Sequence, residues 1–416
     1  MKVNANPAKG MRDFLPSEVR LRKHLETTIA DVYERQGFAH IETPVLENIE
    51  MLTKSEGGEN LQLIFKVLKR RDKLRLDTKE LCEADLTDLG LRYDLTLPLS
   101  RFYAKNQDKL PSPFKALQIG TVFRAERQQR GRYRAFTQCD VDIIGDSSTM
   151  AECEVILSTI KALLALGLRD FKVKISDRRI LAAVVHHFGL PESSLAEIAV
   201  ILDKADKIGW PAVEEEMVKL GLPEEEVKAL LTTISELTID KLGAVGVPSD
   251  TCLAMRQVIS VITEQAGGSY ESAFCPTLVR GMGYYTGTVF EIEATELGLA
   301  IAGGGRYDRM IGQWLGHDVP AVGFSIGFER ILLLLQEKGF VPPKMNRSIA
   351  YLYQKDLDPI DAVITGADTL RREGHNVNVL PLHKKLGKQL SQLESTGYDG
   401  YFLSGGVEVN WFMGSR

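Results

Sequence analysis

The chain has 416 residues, 44% hydrophobic and 26% charged, with a net charge of −5. That length supports two or three domains around a large core, and the composition is ordinary for a globular protein. The longest apolar runs, such as Ile331 to Leu335, are far too short to span a bilayer, and the opening MKVNANPAKG lacks the apolar stretch of a secretory signal.

Five scattered cysteines, with no C-x-x-C pair, suit neither a disulfide framework nor zinc, so a reduced, cytosolic chain is expected. The acidic balance argues against a nucleic-acid partner, except at two basic stretches, Lys66 to Arg75 and Arg124 to Arg134.

Ser17 to Gln36 is predicted as an amphipathic helix, with Leu21, Leu25, Ile29 and Val32 on one stripe, Pro16 before it and Gly37 after it. HIETPVLE reads as a strand interrupted by Pro44, hence at a sheet border. Phe114 to Arg124 and Arg134 to Ile144 form a predicted antiparallel pair joined by the polar loop Ala125 to Tyr133. On its second strand Cys139, Val141 and Ile143 face a core, while Gln138, Asp140 and Asp142 share the other face. Gln138 and Asp142 stand roughly 13 Å apart at ~3.3 Å per residue. That face either brackets a small ligand or is merely solvated.

From Ser176 to about Gly268 charged helical patterns dominate, as in an insertion. Strand texture returns in LVRGMGYYTGTVFEIEA, where Arg280 opens a strand carrying Tyr284 and Tyr285, and in LAIAGGGRYDRMIGQW. AVGFSIGFERILLLLQEKG is a strand and helix, with Arg330 at the helix start. After the linker-like GFVPPKM, alternating strands and helices make a small α/β module.

The chain has no P-loop, no dinucleotide fingerprint, no H-E-x-x-H and no G-x-S-x-G. Its histidines, including the pair His186–His187, read as ordinary structure. Arg124, Arg280 and Arg330 each fall at the rim of a predicted sheet. Singly each reads as solvated or salt-bridged; together they suit an anionic, phosphate-bearing ligand, because a guanidinium is planar and permanently charged.

Seven segments, in order over residues 9 to 340, resemble the class II histidyl-tRNA synthetases. They are GMRDFLP, ETPVLE (like motif 1), LRYDLT, FRAERQQRGRYRAFTQCDVDIIG (like motif 2), LVRGMGYYTGTVFE, AGGGRYD and GFSIGFERIL (like motif 3). The resemblance implies an α+β fold, an antiparallel sheet flanked by helices. It also implies a division into a first catalytic part (1–175), a helical insertion (176–270), a second catalytic part (271–340) and an anticodon-binding-like α/β module (346–416). The expected reaction is activation of histidine by ATP and transfer to tRNA(His), by a cytoplasmic homodimer joined through the Pro44 region, with Mg²⁺ on the triphosphate and no protein metal site.

Carried over by motif, Arg124 and Arg280 are the catalytic pair on the α-phosphate. Glu126, Arg132 and Arg330 complete the ATP site. Asp94, Thr96, Gln138, Asp142, Tyr284 and Tyr285 would bind histidine, and Gln128, Gln129 and Arg130 the tRNA acceptor end. The family pattern is broken at Gly283, where many members carry Asp, at Gln128, where many bacterial members carry Pro, and in the tail EVNWFMGSR, so the last module is expected to be short. The family resemblance also admits a second reading, a catalytically silent, histidine-sensing regulatory subunit of ATP phosphoribosyltransferase.

Overall fold

A computed structural model describes residues 4–53, 62–74, 82–126, 131, 133–280, 284–296, 298–343 and 346–413. Arg132, Gln128, Gln129, Arg130 and Gly283 lie outside the described residues, as does Arg75 of the first basic stretch. Contacts divide the chain into Met1–Phe340 and Val341–Arg416.

The first unit opens with helix α1 (Pro16–Arg35). Proline fits the first turn because its missing N–H has no intrahelical partner there. The fully buried stripe is Leu21, Leu25, Ile29 and Tyr33, whose hydroxyl reaches Thr159 at 3.0 Å, and Val32 packs partly buried against the same core. HIETPVLE is not one strand. It divides at Pro44 into β1 (Ala39–His40) and β2 (Leu46–Asn48), which join different sheets. Strands β3 (Lys66–Leu68) and β4 (Thr87–Leu91) complete the smaller, three-stranded sheet with β2.

Helix α2 (Thr96–Asn106) leads to the hairpin β5 (Phe114–Phe123) and β6 (Ala135–Ile144), in register from Phe114↔Ile144 to Phe123↔Ala135. Helix α3 (Thr149–Ala165) and β7 (Phe171–Asp177) follow. Ser176 and Asp177 are therefore still strand, and the helical segment starts at Arg178, two residues later than expected, with the Asp177 side chain accepting from the Arg179 N–H as its cap.

Helices α4 (Arg178–His187), α5 (Leu195–Leu202), α6 (Trp210–Lys219) and α7 (Glu224–Glu236) enclose their own core, from Ile180 to Val247. Helix α8 (Ser249–Glu264) instead lays Met255, Val258 and Ile262 into the main core. Strands β8 (Glu271–Phe274), β9 (Thr288–Ala294), β10 (Leu299–Arg306) and β11 (Ala321–Gly327) precede α9 (Phe328–Glu337).

The large sheet runs β1-β5-β6-β11-β10-β9-β7-β8, antiparallel except where β1 joins β5 and β7 joins β8. Helices α1, α3, α8 and α9 cover one face, burying Cys139, Val141, Phe290, Phe324 and their neighbours. The other face carries a smaller cluster around Tyr93, Leu97, Tyr285 and Tyr307, together with the acidic row of β6. That asymmetry leaves room for a site on one side of the sheet.

In the second unit β12 (Ser348–Tyr353) lies between β13 (Asn376–Pro381) and β14 (Gly400–Leu403), parallel to both. Alternation sends Ile349 and Tyr351 towards α10 (Ile360–Arg372) and Ala350 and Leu352 towards α11 (Leu386–Ser395). The tail supplies a fourth, antiparallel strand, β15 (Asn410–Trp411), on the edge of β14.

Candidate active site

The register of the large sheet lines up chemistry across strands. Gln118, Asp140, Ser325, Gly303, Glu291 and Lys174 are successive partners on β5, β6, β11, β10, β9 and β7. A second row, two residues along, runs Ala116, Asp142, Gly323, Gly305, Val289 and Ser176. Where β10 has glycine in these rows, side chains from elsewhere lie flat on the sheet. A Cβ on Gly303 would stand 1.7 Å from Nη1 of Arg280, and one on Gly305 2.9 Å from the Tyr285 ring. Gly304, between them, faces the core, against Phe290 and the backbone of β11. Gly323 makes room for the Asp142 carboxylate in the same way.

Three aspartates meet here, all buried. Asp94 sits just before α2 and accepts from the Leu97 N–H at 3.3 Å through Oδ1. Asp142 Oδ1 accepts from the Tyr307 hydroxyl at 2.5 Å. Gln138 donates to the Ser325 hydroxyl at 3.1 Å. Asp94 Oδ2, Asp140 Oδ1, Asp142 Oδ2 and Gln138 Oε1 are buried without a hydrogen-bond partner among the described residues.

Burial pushes the Asp94 carboxyl up to about 6, against the opposing charge of Arg124. Burial likewise pushes Asp142 up to about 7, with the Tyr307 hydrogen bond opposing and the Asp94 charge adding. Asp140 is raised well above the usual range, first by burial and then by Asp142. Unpaired buried acceptors are costly, so this cluster is built for a ligand that brings several N–H donors.

Two of the three sequence-derived arginines attend this centre. Arg124 is fixed by its Nε, which donates to the Tyr93 carbonyl at 2.9 Å, and by the Phe136 ring, 5.1 Å from its guanidinium. Arg280 is not in a strand, contrary to the sequence expectation; β9 starts only at Thr288. It lies in a crossing loop at φ +46°, its carbonyl held by Arg178 at 3.2 Å and its Nη1 3.3 Å from Glu291. Its Nε is buried and unpartnered among the described residues.

Arg330 donates to the Ala300 carbonyl at the start of β10. Tyr284 and Tyr285 pack at 4.7 Å, and Tyr284 lies 6.1 Å from Tyr307. Thr96 is the first residue of α2, and the backbone of Glu126 accepts from Arg134 at 3.1 Å.

Beneath the site, Arg22 of α1 joins Glu329 of α9 at 2.8 Å and Thr137 of β6 at 2.8 Å, tying three elements together. Sequence reading gave no ligand role to Asp140, Tyr307, Ser325 or Glu291. Asp140 was reachable from strand alternation beside Gln138 and Asp142. Tyr307 and Ser325 carry no local signal, since only strand pairing and the turn after β10 bring them in. Tyr284 and Tyr285 also line a cavity of about 380 Å³ with Arg178, Arg179, Arg309 and Gln313; Arg124, Arg280 and Arg330 do not line it.

The histidyl-tRNA synthetase family model matches residues 10–331. The histidine–tRNA ligase of Leifsonia xyli subsp. xyli is 38% identical over 412 residues, covering 95% of this chain and 94% of its own. That of Cytophaga hutchinsonii is 33% identical over 425 residues, covering 97% and 92%. The crystal structure of histidyl-tRNA synthetase from Nostoc sp. superposes with a TM-score of 0.77 at 26% identity, covering 96% of this chain and 91% of that one. A Bacillus halodurans structure described as an ATP phosphoribosyltransferase regulatory subunit/histidyl-tRNA synthetase shares the fold, with a TM-score of 0.74 at 23% identity, covering 97% and 99%.

Proposed function

The chain belongs to the histidyl-tRNA synthetase family, and from that membership we propose that it activates histidine with ATP and transfers it to tRNA(His). The observation that carries the reading is the set of buried, partly unpartnered carboxylates beneath Arg280. Histidine brings an α-ammonium and ring N–H groups to match those acceptors. A site that must pair them rejects side chains lacking such donors.

In the first step the histidine carboxylate attacks the α-phosphorus of ATP. The new C–O–P linkage forms as the bond to pyrophosphate breaks. The nucleophile is already an anion, so the protein's task is to position two anions and stabilise the charge that develops on phosphate oxygens. Arg124 and Arg280 take that role, with Glu126, Arg132 and Arg330 holding the rest of ATP. Asp94, Thr96, Gln138, Asp142, Tyr284 and Tyr285 hold histidine. In the second step a ribose hydroxyl at the tRNA 3′ end attacks the acyl carbon and AMP leaves.

No group of three or more His, Cys, Asp or Glu among the described residues is placed to hold a metal ion. Mg²⁺ is read as a substrate ion, carried on the triphosphate, where it offsets phosphate charge. The reading also assigns the acceptor end to Gln128, Gln129 and Arg130, dimerisation to the Pro44 region, and the work to the cytoplasm. Residues 1–175 and 271–340 form the catalytic part around an insertion within 176–270, and 346–416 form the anticodon-binding module. Among the described residues no helix is long and apolar enough to cross a membrane.

The test is histidine-dependent ATP–pyrophosphate exchange, followed by charging of tRNA(His). Exchange and charging are expected together. A folded protein that binds histidine but exchanges no pyrophosphate would instead fit the regulatory reading. That alternative is not favoured, because the relatives 38% and 33% identical over nearly the whole chain are histidine–tRNA ligases.

A further inference from the structure

We infer that the cavity lined by Arg178, Arg309 and Gln313 is a phosphate pocket, separate from the acidic centre and sharing only its tyrosine pair. This deepens the reading above, because it rests on an RNA reaching that centre.

The two sites have opposite chemistry. The acidic centre offers buried acceptors, whereas the cavity offers cations. Its three arginines are not equivalent. Arg179 is spent on Asp177, with Nε 2.8 Å from Oδ1 and Nη2 2.7 Å from Oδ2. Arg178 is half-buried, and its Nη1 donates to the carbonyls of Val279 and Arg280 at 3.4 and 3.2 Å. Those two bonds aim the guanidinium, while Nε and Nη2 have no partner among the described residues. Asp203 is the carboxylate whose charge Arg178 feels. Arg309 is exposed and has no hydrogen bond or ion pair among the described residues.

One aimed arginine, one free arginine and an exposed amide, around about 380 Å³, suit a phosphate, whose oxygens accept paired N–H bonds from guanidinium. The cavity's arginines are not those assigned to the triphosphate, and the tyrosine pair borders both places. A phosphodiester near the 3′ end of the RNA therefore fits it better than ATP does.

The experiment compares Arg309→Glu, Arg309→Ala and Arg309→Lys, all at an exposed position where folding is not at stake. Charging reads the KM for tRNA(His) across a salt series, and RNA-free exchange reads the KM for ATP. Arg309→Glu is expected to raise the RNA KM about tenfold, the loss of roughly one charged hydrogen bond. Arg309→Ala should reduce the dependence of log KM on log salt by about one ion, and Arg309→Lys should restore most of it.

A rise in the ATP KM alone would keep the phosphate pocket but assign it to the nucleotide. Normal charging with neither KM nor salt slope altered in Arg309→Glu would overturn the pocket and leave the synthetase reading standing. An unsubstituted protein that exchanges pyrophosphate but charges no RNA would overturn both.

Discussion

Adding one methyl group at Gly303 should silence the enzyme without unfolding it. The alanine Cβ would fall 1.7 Å from Arg280 Nη1, 2.3 Å from its Cζ and 2.7 Å from Nη2. To regain an ordinary contact near 3.4 Å the guanidinium must retreat by about 1.7 Å. The obstacle is the far end of a side chain, so the sheet itself is spared and the stability cost should stay near the low end of overpacking, about 1 kcal/mol. A charge displaced by more than ~1 Å from a developing oxyanion costs about 10²-fold in rate. Arg280→Ala sets the floor, about 10²–10³-fold, the usual loss for one transition-state donor.

The neighbouring Gly304→Ala is the control. Its Cβ would meet the Gly323 carbonyl oxygen at 2.0 Å and the Phe324 Cα at 2.8 Å, both backbone, so β10 and β11 must part. It should lose about 3 kcal/mol or more and fail by unfolding. Exchange kinetics and chemical denaturation of both variants make the assay. Gly303→Ala exchanging within threefold of the unsubstituted protein, or unfolding as readily as Gly304→Ala, would refute the reasoning.

Asp142 offers a pH test. Its folded-state value near 7 lies above the ordinary 3.8, so the native state holds the proton more tightly than the unfolded chain does. That stabilisation is complete below about 4 and disappears as pH rises through 7. Asp142→Asn does not titrate, so its stability relative to the unsubstituted protein should improve from pH 5 to pH 8 by up to about 3 kcal/mol; a flat difference would count against the buried carboxyl. Asp142→Ala should weaken histidine binding far more than ATP binding in exchange assays, and equal losses would remove its assigned role. Arg22→Ala should cost about 3–5 kcal/mol, because it strands the buried Glu329 carboxylate. Removing Glu329 as well should recover part of that loss, and a single-variant cost under about 1 kcal/mol would show that the pair does not tie α1 to β6 and α9.

Much of the fold was legible because period and punctuation are local properties. The stripe in α1, the hairpin flanking the arginine-rich loop and the alternation of β6 follow from side-chain direction and turn residues alone. The failures share a cause. Pro44 marked a border, but only pairing revealed that it splits one extended segment between two sheets. Arg280 read as a strand residue because β-like neighbours surround it, yet its positive φ and its bonds to Arg178 and Glu291 are tertiary. Tyr307 carries no local signal of a role, and it is the turn after β10 that brings its hydroxyl to Asp142.

What the order of residues determined by itself was the inventory: one strand face with Gln138, Asp140 and Asp142, glycines in a row on β10, and arginines near sheet ends. The folded chain decided which of these meet. The register places Gly303 opposite Ser325 and Gly305 opposite Gly323, and only that alignment gives Arg280 and Tyr285 space beside the acids. Burial then changes the acids themselves, since a carboxylate removed from water holds its proton until a ligand supplies the missing donors. Neither effect is encoded within any one segment, because both depend on strands far apart in the chain sharing one surface.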